Sequence, residues 1–325
     1  MQHRCTRIGW WLWTADGMAG TMSDFRDLSA APVPGEFGPA LARERVRSRL
    51  KELREKSELS MATVAAHTGW SISKLTRIEK GDVTVQPLEV RALLSYYGVA
   101  DQDEVAALAG LSQASRARQW YSEHRLAGDF RRFVGYENEA AVINIWQLLF
   151  IPGLLQTEEY ARAITGLSMR RSPNDKEVME RVKLRMDRQR AFQERLSRPD
   201  PPRIVAVIDE AVLRRPVGGP DAMRRQLEHL EGLAANPAAY TIGVTPLDLA
   251  HHSGLGGTFE LLQFGAKRHD DVLFVEAAAG NDTLSLEPET TKLFRNILQD
   301  LLDFGRTGDD ALELIRSARA QLSTP

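Results

Sequence analysis

The sequence runs to 325 residues, beyond the usual size of one compact domain, so two folded units are expected. Hydrophobic residues make up 43% and charged residues 26%, which excludes a disordered or fibrous chain, and a lone Cys5 excludes an intramolecular disulfide or a cysteine-based metal cluster. The formal net charge of -2 is unevenly spread: residues 40–98 carry eleven Lys and Arg against seven Asp and Glu, the pattern expected when one part of an acidic chain meets phosphates.

In chain order, the first segment is residues 1–38. Its apolar run, Ile8 to Trp13, follows Arg4 and Arg7 but is only six residues long, too short for a signal-peptide core or a membrane span. Neither export nor membrane insertion is expected, and a reducing cytoplasm suits the single cysteine. Met18 and Met22 offer alternative starts. Ala30, Ala31, Pro32, Pro34 and Gly35 read as linker, so this tail is expected to be disordered and is assigned no function.

Residues 39–112 read as a small helical domain. Leu41, Val46, Leu50 and Leu53 recur at helical spacing over residues 40–56. Ser60 is an N-cap for a short helix at 61–67 with Val64 and Ala65 inward, and Gly69 ends it in a turn. Ser71 caps the next helix, 72–79, where Leu75 and Ile78 lie one turn apart, and Gly81 stops it. Pro87 opens a further helix through Val90, Leu93, Leu94 and Tyr97 to Gly98.

The string LSMATVAAHTGWSISKLTRIEKG, residues 59–81, resembles the helix-turn-helix of the lambda-repressor-like, or XRE, family. The likeness rests on Ala65 at the helix crossing, Gly69 at the turn, Leu75 and Ile78 inside, and the run Arg77, Ile78, Glu79, Lys80, Gly81. One departure is Met61, where the family often has a phosphate-bonding Gln. The resemblance implies that residues 72–79 enter the major groove of double-stranded DNA, with Ser71, Ile72, Ser73 and Thr76 as base readers. Lys74 and Arg77 suit backbone phosphates, and Arg47, Lys51 and Arg54 on the first helix add to the field.

Residues 113–322 change texture. A helix at 104–108 and one at 120–135 precede five strand-like runs at 141–146, 203–208, 240–244, 258–264 and 271–275, rich in Val, Ile, Leu and Phe. Helical patterns occupy 157–164, 176–196, 220–234, 288–304 and 311–321. The fold class expected is multidomain, an all-α helix-turn-helix domain followed by a mixed α/β domain.

Four strings of this part, IPGLLQTEEYARA (151–163), DEAVLRRPVGG (209–219), HSGLGGTFELLQF (252–264) and VLFVE (272–276), resemble the uncharacterised C-terminal domain of actinomycete WhiJ-like regulators. That likeness implies a regulator whose second domain senses an effector or binds a partner, in some cases a small acidic protein encoded nearby. It implies no enzymatic activity.

Read on their own, Pro152, Gly153 and Thr157 mark a strand-to-helix turn. His251, His252, Gly254, Gly256 and Gly257 lack the spacing of a metal or phosphate loop and read as a glycine-rich hairpin entry. Asp209, Glu210 and Glu276 follow strands and can converge at a sheet edge, yet no nucleophile and base stand at diagnostic spacing; no catalytic residue, metal or cofactor is expected. Residues 170–198 hold ten Lys and Arg against five Asp and Glu, and read either as a DNA-facing helix or, preferably, as a surface helix whose Val178, Val182 and Met186 stripe packs on the sheet. The function expected is a sequence-specific transcription regulator acting as a homodimer on half-sites a helical turn, roughly 34 Å, apart. The alternative is an antitoxin-like interaction module that autoregulates its operon.

Overall fold

The structure, a computed structural model, describes residues 38–126, 128–249, 251–265, 271–276 and 282–322. The tail expected over residues 1–38 lies outside the described residues but for Gly38.

Five helices open the chain: α1 (Pro39–Lys56), α2 (Met61–Thr68), α3 (Ile72–Lys80), α4 (Pro87–Tyr96) and α5 (Gln102–Ala114). Their shared core gathers Val46, Leu50 and Leu53 from α1, Val64 and Ala65 from α2, Leu75 and Ile78 from α3, Val90, Leu93 and Leu94 from α4, and Val105, Leu108 and Leu111 from α5. Each fully buried aliphatic side chain here contributes about 1.5–3 kcal/mol, so the short α2 and α3 are held by packing, since helices of eight and nine residues are not stable alone. The expected helix at 104–108 is longer than the sequence suggested because Asp101 caps it, accepting from the backbone N–H of Asp103.

The helix expected at 120–135 is broken. A 3-10 turn, Trp120–Glu123, ends at an extended His124 that pairs with Asp187 at 3.1 Å, and α6 (Gly128–Glu137) begins at a Gly128 with φ +59°.

The rest is a mixed seven-stranded sheet: β1 (Val142–Gln147), β2 (Arg203–Asp209), β3 (Tyr240–Thr245), β4 (Phe259–Gln263), β5 (Val272–Val275), β6 (Thr283–Ser285) and β7 (Arg306–Thr307), in the order β6-β5-β4-β1-β2-β3-β7. β1, β2 and β3 are parallel neighbours, with Ile145 beside Ala206 and Ala206 beside Ile242. β4, β5, β6 and β7 join antiparallel. The parallel strands read as unbroken apolar runs because helices cover both faces. On one face lie α6, α8 (Lys176–Arg195), α10 (Pro220–Ala234) and α12 (Gly308–Gln321), packed on Ile143, Ile145, Ala206, Ile208 and Val244. On the other, α11 (Pro288–Phe304) lays Leu298 and Leu301 over Trp146, Val207 and Leu261. α7 (Glu158–Met169) and the five-residue α9 (Glu210–Arg214) complete the crossovers.

Most of the basic run at 170–198 forms α8, which leaves Lys176, Arg181, Lys183 and Arg190 exposed but turns two cations inward: Arg188 is ion-paired with Glu137, and Arg195 donates to the carbonyls of Glu137 and Ala140. The stripe of Val178, Val182 and Met186 packs with Ala161 and Met169 of α7 rather than on the sheet; Phe192, further along, reaches the main core.

Candidate nucleic-acid interface

Two serine caps and two left-handed glycines shape the α2-turn-α3 unit. Ser60 Oγ accepts from Thr63 N–H at 3.1 Å, and Gly69, at φ +70°, lets Trp70 N–H close back on the Ala65 carbonyl at 3.1 Å. Ser71 Oγ accepts from Lys74 N–H at 3.1 Å, and Gly81, at φ +80°, ends α3. Leu75 and Ile78 are each 2% exposed, so α3 is pinned by its inner face and presents the outer one to solvent.

The predicted readers differ in what they have free. Ile72 is 51% exposed, an apolar side chain standing in solvent at the first turn of α3. Ser73 is exposed, with no hydrogen-bond partner for its hydroxyl among the described residues. Ser71 is occupied as the cap, and Thr76 Oγ1 donates to the Ile72 carbonyl at 2.9 Å, keeping only acceptor capacity. Ile72, Ser73 and Arg77 therefore form the unengaged part of the face.

The predicted phosphate contacts divide similarly. Arg77 is exposed and makes no ion pair among the described residues. Lys51 is half exposed, its amine 3.9 Å from Glu55. Lys74 lies 3.6 Å over the Trp70 ring and 2.7 Å from Glu89, whose other oxygen accepts from Gln86 N–H in the capping box of α4. Burial pushes Glu89 up, but the Gln86 and Lys74 bonds outweigh it and hold the carboxyl below its usual range. Arg54 is 12% exposed and pairs with Glu79 at 2.6 Å, tying α1 to α3. Arg47 pairs with Glu44 and donates to the Glu79 carbonyl at 3.0 Å. For Arg54 and Arg47, then, the structure gives an internal engagement in place of the open guanidinium a phosphate contact needs: both support the C-terminal half of α3 from behind.

The helical domain is fastened to the sheet domain through α1. Gly38 offers α1 no side-chain cap; instead Glu139, just after α6, accepts from Ala40 N–H at 2.6 Å and Leu41 N–H at 3.0 Å. A Cβ at residue 38 would overlap the Glu139 side chain, so a larger residue there would have to displace the carboxylate that holds α1. Burial pushes the Glu139 carboxyl up to about 6 against those bonds and the charges of Arg195 and Arg43. One turn on, buried Glu44 accepts from Arg47, from Ser48 Oγ at 2.9 Å and from Tyr136 OH at 2.6 Å, with Arg132 at 3.5 Å. Burial raises the Glu44 carboxyl, but Arg47, Tyr136 and Arg132 outweigh it and hold it below the usual range. None of this junction was foreseen from sequence; the only signal was the alternation Arg43, Arg45, Arg47, Arg49 along α1, which places cations on more than one side of the helix.

Of the carboxylates singled out in the C-terminal part, Asp209 and Glu210 are structural in their contacts, while Glu276, just after β5, is exposed. Asp209 caps α9, accepting from Ala211 N–H at 2.9 Å; Glu210 pairs with Arg214 and accepts from Leu247 N–H at 2.9 Å. His252 meets the Trp146 ring edge-on at 5.5 Å, and the Gly254 carbonyl accepts from Trp146 Nε1 at 2.8 Å, making residues 253–256 a 3-10 turn entering β4. Among the described residues, no group of three or more His, Cys, Asp or Glu could hold a metal, and no helix is long and apolar enough to cross a membrane.

A capped α2, a glycine turn and a pinned α3 with an open outer face, followed by a mixed α/β domain, define a two-domain helix-turn-helix protein. The helix-turn-helix domain model matches residues 45–108. The model of a domain of unknown function, DUF5753, matches residues 130–317, more than half of the chain, and the chain belongs to that family. No curated protein and no solved structure matches.

Proposed function

We propose that the protein is a sequence-specific DNA-binding transcription regulator that works as a homodimer. The observation that carries this reading is the outer face of α3, where Ile72, Ser73 and Arg77 stand unengaged while Leu75 and Ile78 fix the helix beneath them. An apolar side chain left in solvent at the N-terminus of a pinned helix suits a thymine methyl, a free hydroxyl suits a base edge, and an unpaired guanidinium suits a phosphate. One such helix contacts only a few base pairs, and two copies on half-sites roughly 34 Å apart supply the affinity a regulator needs.

The C-terminal domain is read as a sensing or partner-binding unit rather than an enzyme. Asp209 and Glu210, at the end of β2, are occupied in a helix cap and an ion pair, which leaves them poorly suited to general acid or base work. The test is a mobility shift of the purified chain on its own upstream DNA across a salt series, with a scrambled duplex as control. A preferred site supports the reading, and the salt slope counts phosphates contacted. Folded protein that binds neither duplex above background refutes it.

A further inference from the structure

The junction of the two domains encloses a cleft of about 430 Å³, within the ~300–1,000 Å³ range of small-molecule sites. Its walls are α1, the C-terminal end of α3 and α6, and its lining carries five guanidiniums, from Arg43, Arg47, Arg77, Arg131 and Arg132, against the carboxylates of Glu44 and Asp82. Glu44 is already consumed by Arg47 and Arg132. That leaves Arg43, Arg77 and Arg131 facing the single carboxylate of Asp82. Arg77 and Arg131 make no ion pair among the described residues. Arg43 spends one Nη on the Ser115 carbonyl at 3.1 Å, while its Nε is buried with no hydrogen-bond partner among the described residues. The buried Arg43 N–H without an acceptor is costly, and three cations lining one cleft repel each other unless an anion joins them.

We propose that this cleft binds a small oxyanion carrying two or more negative charges, a phosphorylated or polycarboxylate metabolite, gripped by Arg43, Arg77 and Arg131. Guanidinium forks match phosphate and carboxylate oxygens in pairs, and a charge of two or more is what the surplus of cations over Asp82 calls for. The ligand bridges the two domains, because Arg131 belongs to α6 and Arg77 to α3. Arg77 is also the free cation of the proposed DNA face, so ligand and operator compete for it, and by linkage each weakens the other. That last consequence rests on the DNA-binding reading; the cleft itself does not.

The test is calorimetric titration of the full chain with inorganic pyrophosphate, and separately with citrate, at fixed ionic strength and with no DNA present. Variants R131A and R43A are compared with wild type, each checked for an unchanged far-UV spectrum; Arg131 is exposed, and its truncation leaves the core intact. Expected is saturable binding that each variant weakens at least about tenfold, the loss of one charge-assisted contact. In parallel, the salt slope for a scrambled duplex is measured for wild type and R131A. An unchanged slope beside lost anion binding supports the cleft as a ligand site. A slope lowered by about one in R131A, with no saturable anion binding in wild type, assigns these arginines to the DNA backbone and overturns the proposal. Anion binding indifferent to both substitutions overturns it too, as an adventitious ion only. Because the titration contains no DNA, its failure leaves the regulator reading untouched.

Discussion

Replacing Glu44 with Gln is the sharpest probe of how the two domains are joined. The side chain keeps its shape and one acceptor oxygen, but its new amide faces the guanidiniums of Arg47 and Arg132, two groups that only donate. Removing one partner of a buried ion pair typically costs about 3–5 kcal/mol because the other charge stays behind unpaired. Glu44 is 9% exposed and both arginines about twice that, so partial access to water places the loss at the low end, about 3 kcal/mol. Urea unfolding followed by tryptophan emission should show it, with Trp70 in the helical domain and Trp120 and Trp146 in the other. The pH dependence adds a second signature. Because Arg47 and its neighbours hold the folded Glu44 carboxyl below its unfolded value, its contribution is present above about pH 4.5 and is lost as pH falls through the folded pKa; E44Q should flatten that acid-side loss. A double-mutant cycle with R132Q should give a coupling of at least ~1 kcal/mol. A destabilisation below ~1 kcal/mol together with an unchanged acid limb would refute the view that this buried cluster locks the junction.

Three further outcomes follow from the same geometry. Ser73→Ala combined with Arg77→Ala should lower operator affinity at least about tenfold and reduce the salt slope by about one while the fold stays intact; unchanged affinity in the folded double mutant would remove these residues from the reading face. Glu139 has the opposite pH sign to Glu44: burial lifts its folded pKa from 4.5 to about 6, so its contribution is full below pH 4.5 and is lost as pH rises through 6. Thermal unfolding between pH 4.5 and 7 should therefore show a loss in wild type that Glu139→Gln lacks, and parallel curves would contradict it. Gly254→Ala puts a methyl 2.7 Å from the Trp146 ring, under the turn whose carbonyl that indole bonds; about 1–3 kcal/mol of destabilisation is expected, and a neutral effect in urea unfolding would show that the turn can shift away.

The helical domain was legible in the sequence because its signals are local. Ser60, Gly69, Ser71 and Gly81 act on backbone groups within four residues, so cap, turn and stop can be read from the string alone. The five longer strands were legible for a related reason, since burial on both faces leaves an unbroken apolar run such as Ile204 to Ile208. β6 and β7, of three and two residues, carry no period to detect. The break at His124 depends on Asp187, far along the chain, and propensity could not reveal it. The same limit governs the interface. Residue type marked Lys74, Arg47 and Arg54 as cations for phosphate, yet their actual partners, Glu89, Glu44 and Glu79, stand on other turns or other helices, and charge composition says nothing about which cations are already spent. The cleft was invisible for the same reason: Arg43 and Arg131 meet only because Glu139 seats the first helix against the sheet domain.

That seating has a mechanical consequence. α1 is one continuous rod of 18 residues, about 27 Å long, with Leu41 embedded among sheet-domain side chains and Leu50 and Leu53 in the helical core. The helix is unbroken from end to end, so a tilt of about 10° at the Glu139 end moves the far end by about 5 Å, close to the rise of a whole helical turn. α3, joined to that rod by Arg54 and Arg47, travels with it. Under the proposed dimeric DNA-binding reading, two such levers would double the error across half-sites whose separation the DNA fixes, so small rearrangements at the base of α1 would decide whether both halves fit at once.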